Sequence, residues 1–115
     1  MQFKLIVAFV KPNITDSVVD AMREAGATGA TIVPARGTGI HEAKSFFGLS
    51  IEAQTDIIFF LVEEHVVERL MEVIQHAGKF EEPGTGIAFV ISVDHIAGLE
   101  SQMKKFKKQA RDQYF

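Results

Sequence analysis

The chain has 115 residues, a formal net charge of −3, 47% hydrophobic residues and no cysteine. This length fits one domain with its own core, because a domain of this size buries roughly two thirds of the surface of its unfolded chain. The acidic balance argues against a general nucleic-acid binder, and the lack of cysteine excludes disulfides, thiolate metal sites and a cysteine nucleophile. The opening residues lack the pattern of a signal peptide, and the longest apolar run, residues 57–62, is too short to span a membrane, so we expect a cytoplasmic protein.

The first elements in chain order are a strand and a helix. Apolar residues fill 3–10, and the Lys-Pro pair that follows ends this run because proline cannot continue a ladder. Thr15 or Asp16 is suited to cap a helix over residues 15–25, in which apolar residues recur at spacings of three and four. Gly26 suits the left-handed position that commonly closes a helix.

A second strand is predicted at residues 29–35, where Pro34 indicates a sheet edge or a bulge. Between residues 37 and 54 the periodicity fails, and glycines punctuate the stretch. We predict a long loop there. Loops of more than about 12–15 residues are uncommon in compact domains and usually carry function or disorder.

The second half of the chain repeats the order of the first. A strand at 55–62 leads into a helix at 63–78, which Gly78 ends, and a strand at 86–93 follows. Each unit brings a glycine-bearing turn into its last strand. Two βαβ units of this size predict an α+β, ferredoxin-like fold, in which an antiparallel sheet carries both helices on one face.

The first and third strands are apolar on both of their sides, as residues 3–10 and 55–62 show. Two helices cannot cover both faces of such a sheet, so we expect a homo-oligomer with the sheets packed inside. The alternative is that short apolar runs simply lack a clean alternation.

Two glycine turns have the composition of an anion site. Arg36, Gly37, Thr38 and Gly39 open the long loop, and a second Gly-Thr-Gly turn spans residues 84–86. Glycines allow backbone N–H groups to approach an anion, and Arg36 could add charge. The alternative is that these glycines serve backbone geometry alone.

Four motifs together resemble the P-II nitrogen-regulator family, and in particular its divergent P-II-like branches. They are VKP after strand one, GATGATIV after helix one, RGTG at the loop and GKFEEPGTGIAFVISV around the last strand. The resemblance covers residues 3–97 and implies a homotrimer that binds adenine nucleotides in clefts between subunits. It also implies that the loop at 37–54, the T-loop, passes a signal to an enzyme or a membrane transporter, so the chain would be a regulator and not an enzyme.

The resemblance places Gly29, Thr31 and Leu61 near the adenine, and the turn that begins at Lys79 over the phosphates. The implied nucleotide-binding residues are Gly29, Thr31, Arg36, Gly37, Thr38, Gly39, His41, Leu61, Lys79, Phe80, Pro83, Gly84, Thr85 and Gly86. Within the T-loop, the implied partner-binding residues are Lys44, Phe46, Phe47 and Leu49, although the aromatic pair could equally pack on a neighbouring subunit.

Several polar contacts of the family's ligand site are missing from this chain. Ile87 stands where the family has a lysine, Ile40 and His41 replace an arginine and a glutamine, and Gly98 and Glu100 replace paired arginines. Each lost charge-assisted contact is worth about 1.5–3 kcal/mol. We therefore expect ADP or AMP to bind better than ATP; the alternative is that nucleotide binding is lost.

The residues after the P-II-like domain (1–98) form a basic tail, 99–115, which is predicted to be helical. Its cations surround Met103, Phe106 and Ala110, and they are Lys104, Lys105, Lys107, Lys108 and Arg111. Such a helix suits an anionic membrane surface or an acidic partner, which adds the inner face of the membrane as a second location, or it packs on its own trimer.

Two other functions use the same fold. A trimeric copper-tolerance-type protein would need surface metal ligands, and the four histidines, His41, His65, His76 and His95, share no metal-ligand spacing. A small phosphoryl-handling enzyme would need cations near the glycine turns, which the sequence largely lacks. We predict no metal site and no catalytic residue.

Overall fold

Two βαβ units make up the computed structural model, which describes residues 2–36 and 54–99. The first unit contains β1 (Phe3–Val10), α1 (Thr15–Glu24) and β2 (Thr31–Arg36). The second contains β3 (Gln54–Glu63), α2 (Val67–Ala77) and β4 (Gly86–Ser92). A short 3-10 turn precedes each helix, at Pro12–Ile14 and at Glu64–Val66.

The strands form one antiparallel sheet in the order β2-β3-β1-β4. At its centre, Val7 lies opposite Phe59 on one side and Phe89 on the other. Each helical connection therefore skips one strand position, because β3 lies between β1 and β2, and β1 lies between β3 and β4. The predicted ferredoxin-like α+β fold is confirmed.

The core lies between the helices and one face of the sheet. Alternate strand residues point to that face, so Ile6, Ala8 and Val10 of β1 are fully buried, together with Ile58 and Phe60 of β3. The helices cover them with their apolar stripes, which consist of Val18, Val19 and Met22 of α1 and Leu70 and Ile74 of α2. Full burial of such side chains contributes about 1.5–3 kcal/mol each.

The opposite face of the sheet, here called the open face, is also apolar. Its residues occupy the other set of alternate positions, and include Phe9, Phe59, Leu61, Phe89 and Ile91. Their exposure is 37% for Phe89 and 47% for Ile91 on the edge strand β4, and 38% for Leu61, which lies past the end of the pairing between β3 and β2. Phe9 and Phe89 pack edge to face, with ring centroids 5.8 Å apart. The prediction of two apolar faces is confirmed within the described residues.

The start of α1 differs from the prediction that Thr15 or Asp16 caps it. The 3-10 turn Pro12–Ile14 precedes the helix, and its proline stands at a position where no backbone N–H is needed. As a result, Ile14 is the N-cap of α1 and Thr15 is its first helical residue. The Thr15 hydroxyl is buried and donates to Asp56 Oδ2 at 2.6 Å. It therefore ties α1 to β3 instead of capping the helix.

The start of α2 also differs from the predicted helix at 63–78. Glu63 belongs to β3, where it lies opposite Phe3, and the Glu64 N–H donates to the Gln2 carbonyl at 2.9 Å. These ladder contacts hold the chain extended past the predicted boundary. Similarly, β2 starts two residues later than the predicted 29, because ladder pairing with β3 begins at Thr31.

Candidate ligand-binding groove

The first unit contains a short turn at residues 25–30, between α1 and β2. The Gly26 N–H donates to the Arg23 carbonyl at 3.1 Å, and the Ala27 N–H donates to the Met22 carbonyl at 2.9 Å. This pair of bonds closes the helix and needs a left-handed residue, which Gly26 supplies with φ of 119°. The predicted role of Gly26 is confirmed. Ala27 is buried in this turn, whereas Thr28 and Gly29 are exposed.

A groove with a volume of about 630 Å³ lies between this turn and the neighbouring end of the sheet. One side consists of Thr28, Gly29 and Thr31, and the other includes Phe59 and Leu61 of β3. The groove is thus lined by three residues that the resemblance placed near one ligand, namely Gly29, Thr31 and Leu61. Apolar side chains and exposed hydroxyls in one groove are typical of small-molecule sites.

Glu63 also lines this groove, although neither the sequence pattern nor the resemblance indicated it. It lies two residues after Leu61 on the same side of β3, and its Oε2 lies 3.2 Å from Nδ1 of His65. The period-two spacing from Leu61 was the available signal. It was missed because residue 63 was predicted to start the second helix.

The second unit contains a longer turn at residues 78–85, between α2 and β4. The Lys79 N–H donates to the His76 carbonyl and the Phe80 N–H donates to the Gln75 carbonyl, both at 3.1 Å. Lys79 is left-handed, with φ of 53°. The Thr85 hydroxyl lies 2.7 Å from the Lys79 carbonyl and 2.9 Å from the Glu82 carbonyl, so it donates across the turn and closes it.

Phe80 fills the inside of this second turn. A Cβ added to Gly86 would lie 2.6 Å from the Phe80 ring and 2.6 Å from the Phe9 carbonyl oxygen, and a Cβ on Gly78 would also meet the ring. Both glycines therefore make room for this aromatic side chain. Gly84 has φ of 81°, and Pro83 beside it is exposed.

The charges of the second turn are mixed. Lys79 is exposed, and so are Glu81 and Glu82. Ile87, which stands where a lysine would serve a phosphate, lies opposite Phe9 in the apolar sheet. In the described part of the turn, the one cation is therefore outnumbered by two carboxylates.

The two turns lie apart within one chain. The first leads into β2 and the second into β4, and these strands form opposite edges of the sheet. Three strand spacings correspond to about 14 Å. Arg36, at the end of β2 opposite Gln54, is likewise an edge residue far from β4. A single chain therefore does not assemble the first and second turns into one site.

The remaining predicted site residues lie outside the described ranges. They are Gly37, Thr38, Gly39 and His41 of the nucleotide set and Lys44, Phe46, Phe47 and Leu49 of the partner set. The basic tail beyond residue 99 also lies outside.

Two further findings concern only residues 2–36 and 54–99. No three histidine, aspartate or glutamate side chains in these ranges are placed to hold a metal ion. No helix in them combines the length and the hydropathy needed to cross a bilayer.

Comparison with known proteins identifies the family. The family model described as nitrogen regulatory protein P-II matches residues 3–102. The nitrogen regulatory protein P-II of Azospirillum brasilense is 30% identical over 106 residues, which are 88% of this chain and 95% of that protein. The protein of the same name from Rhodospirillum rubrum is 31% identical over 96 residues, 79% of this chain and 86% of that protein. The resemblance read from four short motifs therefore extends over nearly the whole chain, and the chain belongs to the P-II family of nitrogen regulatory proteins.

Proposed function

We propose that this chain is a homotrimeric signalling protein that binds an adenine nucleotide in clefts between its subunits. Through the T-loop at 37–54, the nucleotide controls binding to a target protein, for which a membrane transporter is our candidate. ADP or AMP is the preferred ligand. The observation that carries the proposal is the groove that brings together Gly29, Thr31 and Leu61.

The open face supports the assembly. A monomer would leave Leu61, Phe89 and Ile91 more than a third exposed on one apolar surface, and such surfaces are typical of protein interfaces. Packing the open faces of several copies against one another removes this surface from water. The sheet then becomes covered on both sides, as its two apolar faces require.

The positions of the two turns support a site between subunits. They occupy opposite edges of the sheet, so one chain cannot place both around a single ligand. In a ring of copies, the β2 edge of one subunit can approach the β4 edge of the next. A nucleotide would then place its base in the groove of the first turn and its phosphates toward the second.

The preference for fewer phosphates follows from the charges. In the second turn, the negative charges of Glu81 and Glu82 offset the positive charge of Lys79. Ile87 has no charged group that could bind a phosphate oxygen. Each additional phosphate adds negative charge near two carboxylates, without the charge-assisted contacts that would offset the repulsion. ATP should therefore gain less than AMP or ADP from this turn.

The proposed mechanism is ligand-linked ordering. A nucleotide that binds one arrangement of the T-loop more tightly than another shifts the population toward that arrangement. The target contacts would come from Lys44, Phe46, Phe47 and Leu49. Such a regulator acts in the cytoplasm or at the inner face of the membrane, and the basic tail would favour the second location.

Calorimetric titration of the purified protein with AMP, ADP and ATP tests the ligand, and light scattering after size-exclusion chromatography tests the trimer. We expect a mass of three chains and a measurable heat for AMP or ADP. Leu61→Glu should abolish binding in protein that keeps the mass of three chains, because it replaces apolar surface of the groove with a charge, while Ile96→Glu, at a position of similar exposure outside the groove, should not. A monomeric mass, or no binding heat with any of the three nucleotides at millimolar concentration, would overturn the proposal.

The target is tested separately. Membranes that contain the candidate transporter should retain the wild-type protein in a nucleotide-dependent manner in co-sedimentation. A variant with both Phe46 and Phe47 changed to serine should lose retention but still bind nucleotide. If retention is the same with and without nucleotide, and the same for the wild-type protein and the double variant, T-loop signalling to that transporter is ruled out.

A further inference from the structure

We propose that the C-terminal tail of this chain, residues 100–115, docks into the groove beside the first turn and competes there with the nucleotide. Apolar residues of the tail would fill the groove, and its lysines would lie beside the carboxylate at the rim. The docking is independent of the proposed function, whereas the competition rests on it.

The last described residue lies at this groove. Residues 94–98 are exposed, but Leu99 is half-buried, has helical conformation and lines the groove together with Leu61 and Val66. Gly98 stands at the bend just before it, with a left-handed φ of 89° that favours glycine. The tail is therefore tethered next to the groove walls, which gives it an effective concentration there in about the millimolar range.

The sequence of the tail continues the apolar character of Leu99. Met103 and Phe106 follow it at four and seven residues, a spacing that places apolar side chains on one side of a helix. At about 1.5 Å per residue, they come about 6 and 10 Å beyond Leu99. The groove wall along β3 runs from Phe59 to Glu63, which is about 13 Å of strand. Two large side chains at this spacing match the length of the groove.

The charge of the tail complements the rest of the chain. Residues 100–115 contain five lysines and arginines and two acidic residues, a net charge of +3, which leaves −6 for residues 1–99. Among the described residues that line the groove, Glu63 is the one that carries a charge, and its side chain is 34% exposed. Lys104 and Lys107 directly follow the two apolar residues, so docking would bring cations to this carboxylate. Apolar burial supplies the main attraction, and a charge pair at the rim orients the tail.

Docking of the tail and binding of the proposed nucleotide would exclude each other. The tail would cover Thr28, Gly29 and Leu61, which line the groove assigned to the base. A nucleotide then binds only the fraction of molecules whose groove is empty, and its apparent affinity falls by that fraction. The tail thus sets the nucleotide concentration at which the protein responds.

Crosslinking tests the docking without any nucleotide. The chain has no cysteine, so two introduced cysteines are its only thiols. Full-length protein that carries Thr28→Cys in the groove and Met103→Cys in the tail is treated with a short bismaleimide. The matched control combines Thr28→Cys with Lys105→Cys, a position about 200° further around a helix. We expect the pair with Met103→Cys to link within one chain about fivefold or more faster than the control pair.

The two pairs are compared in protein that keeps the wild-type mass in light scattering. Equal rates for the two pairs would overturn the docking, because a tail outside the groove presents both positions alike. Products that join two chains on a denaturing gel, in place of a link within one chain, would assign the groove to the tail of another subunit and would also overturn the inference.

Titration with AMP tests the competition. The double variant Met103→Ser, Phe106→Ser should bind AMP about fivefold or more tightly than the wild-type protein, because its groove is empty in more molecules. The control is Gln102→Ser, Gln109→Ser, which changes polar residues outside the apolar spacing and should leave the affinity unchanged. A wild-type protein that binds AMP as tightly as the first double variant would overturn the competition. If no form binds AMP, the proposed function and the competition both fall, while the crosslinking still decides the docking.

Discussion

The turns that follow the two helices end them in the same way but use their glycines differently. In both, the residue two positions past the C-cap donates to a carbonyl five residues back, as Ala27 does to Met22 and Phe80 to Gln75. This motif requires a left-handed residue just before that donor. The first turn places Gly26 there, and the second places Lys79.

The surroundings of the other glycines differ more. A Cβ on Gly29 would meet nothing within 4 Å, whereas a Cβ on Gly86 would meet both the Phe80 ring and the Phe9 carbonyl oxygen. The first turn therefore leaves open space beside Gly29, which lines the groove. The second turn uses its glycines to accommodate its own aromatic side chain. Glycine spacing alone does not distinguish these two uses.

The largest expected effect comes from filling the second turn. Gly86→Ala should destabilise the protein by about 2–3 kcal/mol, because the new Cβ overlaps a backbone oxygen that cannot move without shifting β1. Urea denaturation at fixed protein concentration measures this loss. Gly29→Ala is the matched control in the first turn and should change stability by about 0.5 kcal/mol or less. Equal losses at both positions would contradict the difference between the turns.

The next effect isolates Phe80. Gly78→Ala should cost about 1–2 kcal/mol, since the nearest atoms to a Cβ there all belong to the Phe80 ring. Phe80→Leu should relieve this strain, so the double variant should be more stable than the sum of the single effects by about 1 kcal/mol. The same rescue should be smaller for Gly86→Ala, because the Phe9 carbonyl stays in place. Simple additivity at position 78 would show that Phe80 does not occupy the space.

Much of the fold could be predicted from the sequence because its signals are local. The apolar runs at 3–10 and 55–62 match β1 and β3 within one residue at each end, and Gly26 closes α1 as expected. The open face could also be predicted, since two helices cannot cover an apolar run on both of its sides.

What the sequence could not show depends on partners far along the chain. Thr15 does not cap its helix, because Asp56 lies beside it in the fold, 41 residues away. Glu63 belongs to a strand because Phe3 lies opposite it. The need for glycine at 86 comes from Phe80 and Phe9, whose positions follow only from the packed sheet. For the groove, Gly29, Thr31 and Leu61 came from family resemblance, and Glu63 required the structure.

The Thr85 hydroxyl gives a third test of the second turn. Thr85→Val should cost about 1 kcal/mol, because the Lys79 and Glu82 carbonyls lose the hydroxyl that lies between them. Thr85→Ser keeps the hydroxyl and should retain most of the stability. Thermal unfolding of both variants measures the difference. A valine variant as stable as the serine variant would mean that water replaces this bond without loss.

The smallest expected effect is a gain, and it addresses the position where the two turns differ in sequence. Lys79→Gly should stabilise the protein by about 0.5–1 kcal/mol. Lys79 has a left-handed φ of 53°, which strains any residue that has a Cβ, whereas glycine adopts it without this steric strain. Lys79→Ala removes the same charge but keeps a Cβ, so it should give no such gain. Urea denaturation of both variants separates the backbone effect from the side chain. If the alanine variant gains as much stability as the glycine variant, the gain comes from removing the lysine side chain. The left-handed backbone at position 79 would then not be strained, and the presence of glycine at position 26 of the first turn would not reflect such strain.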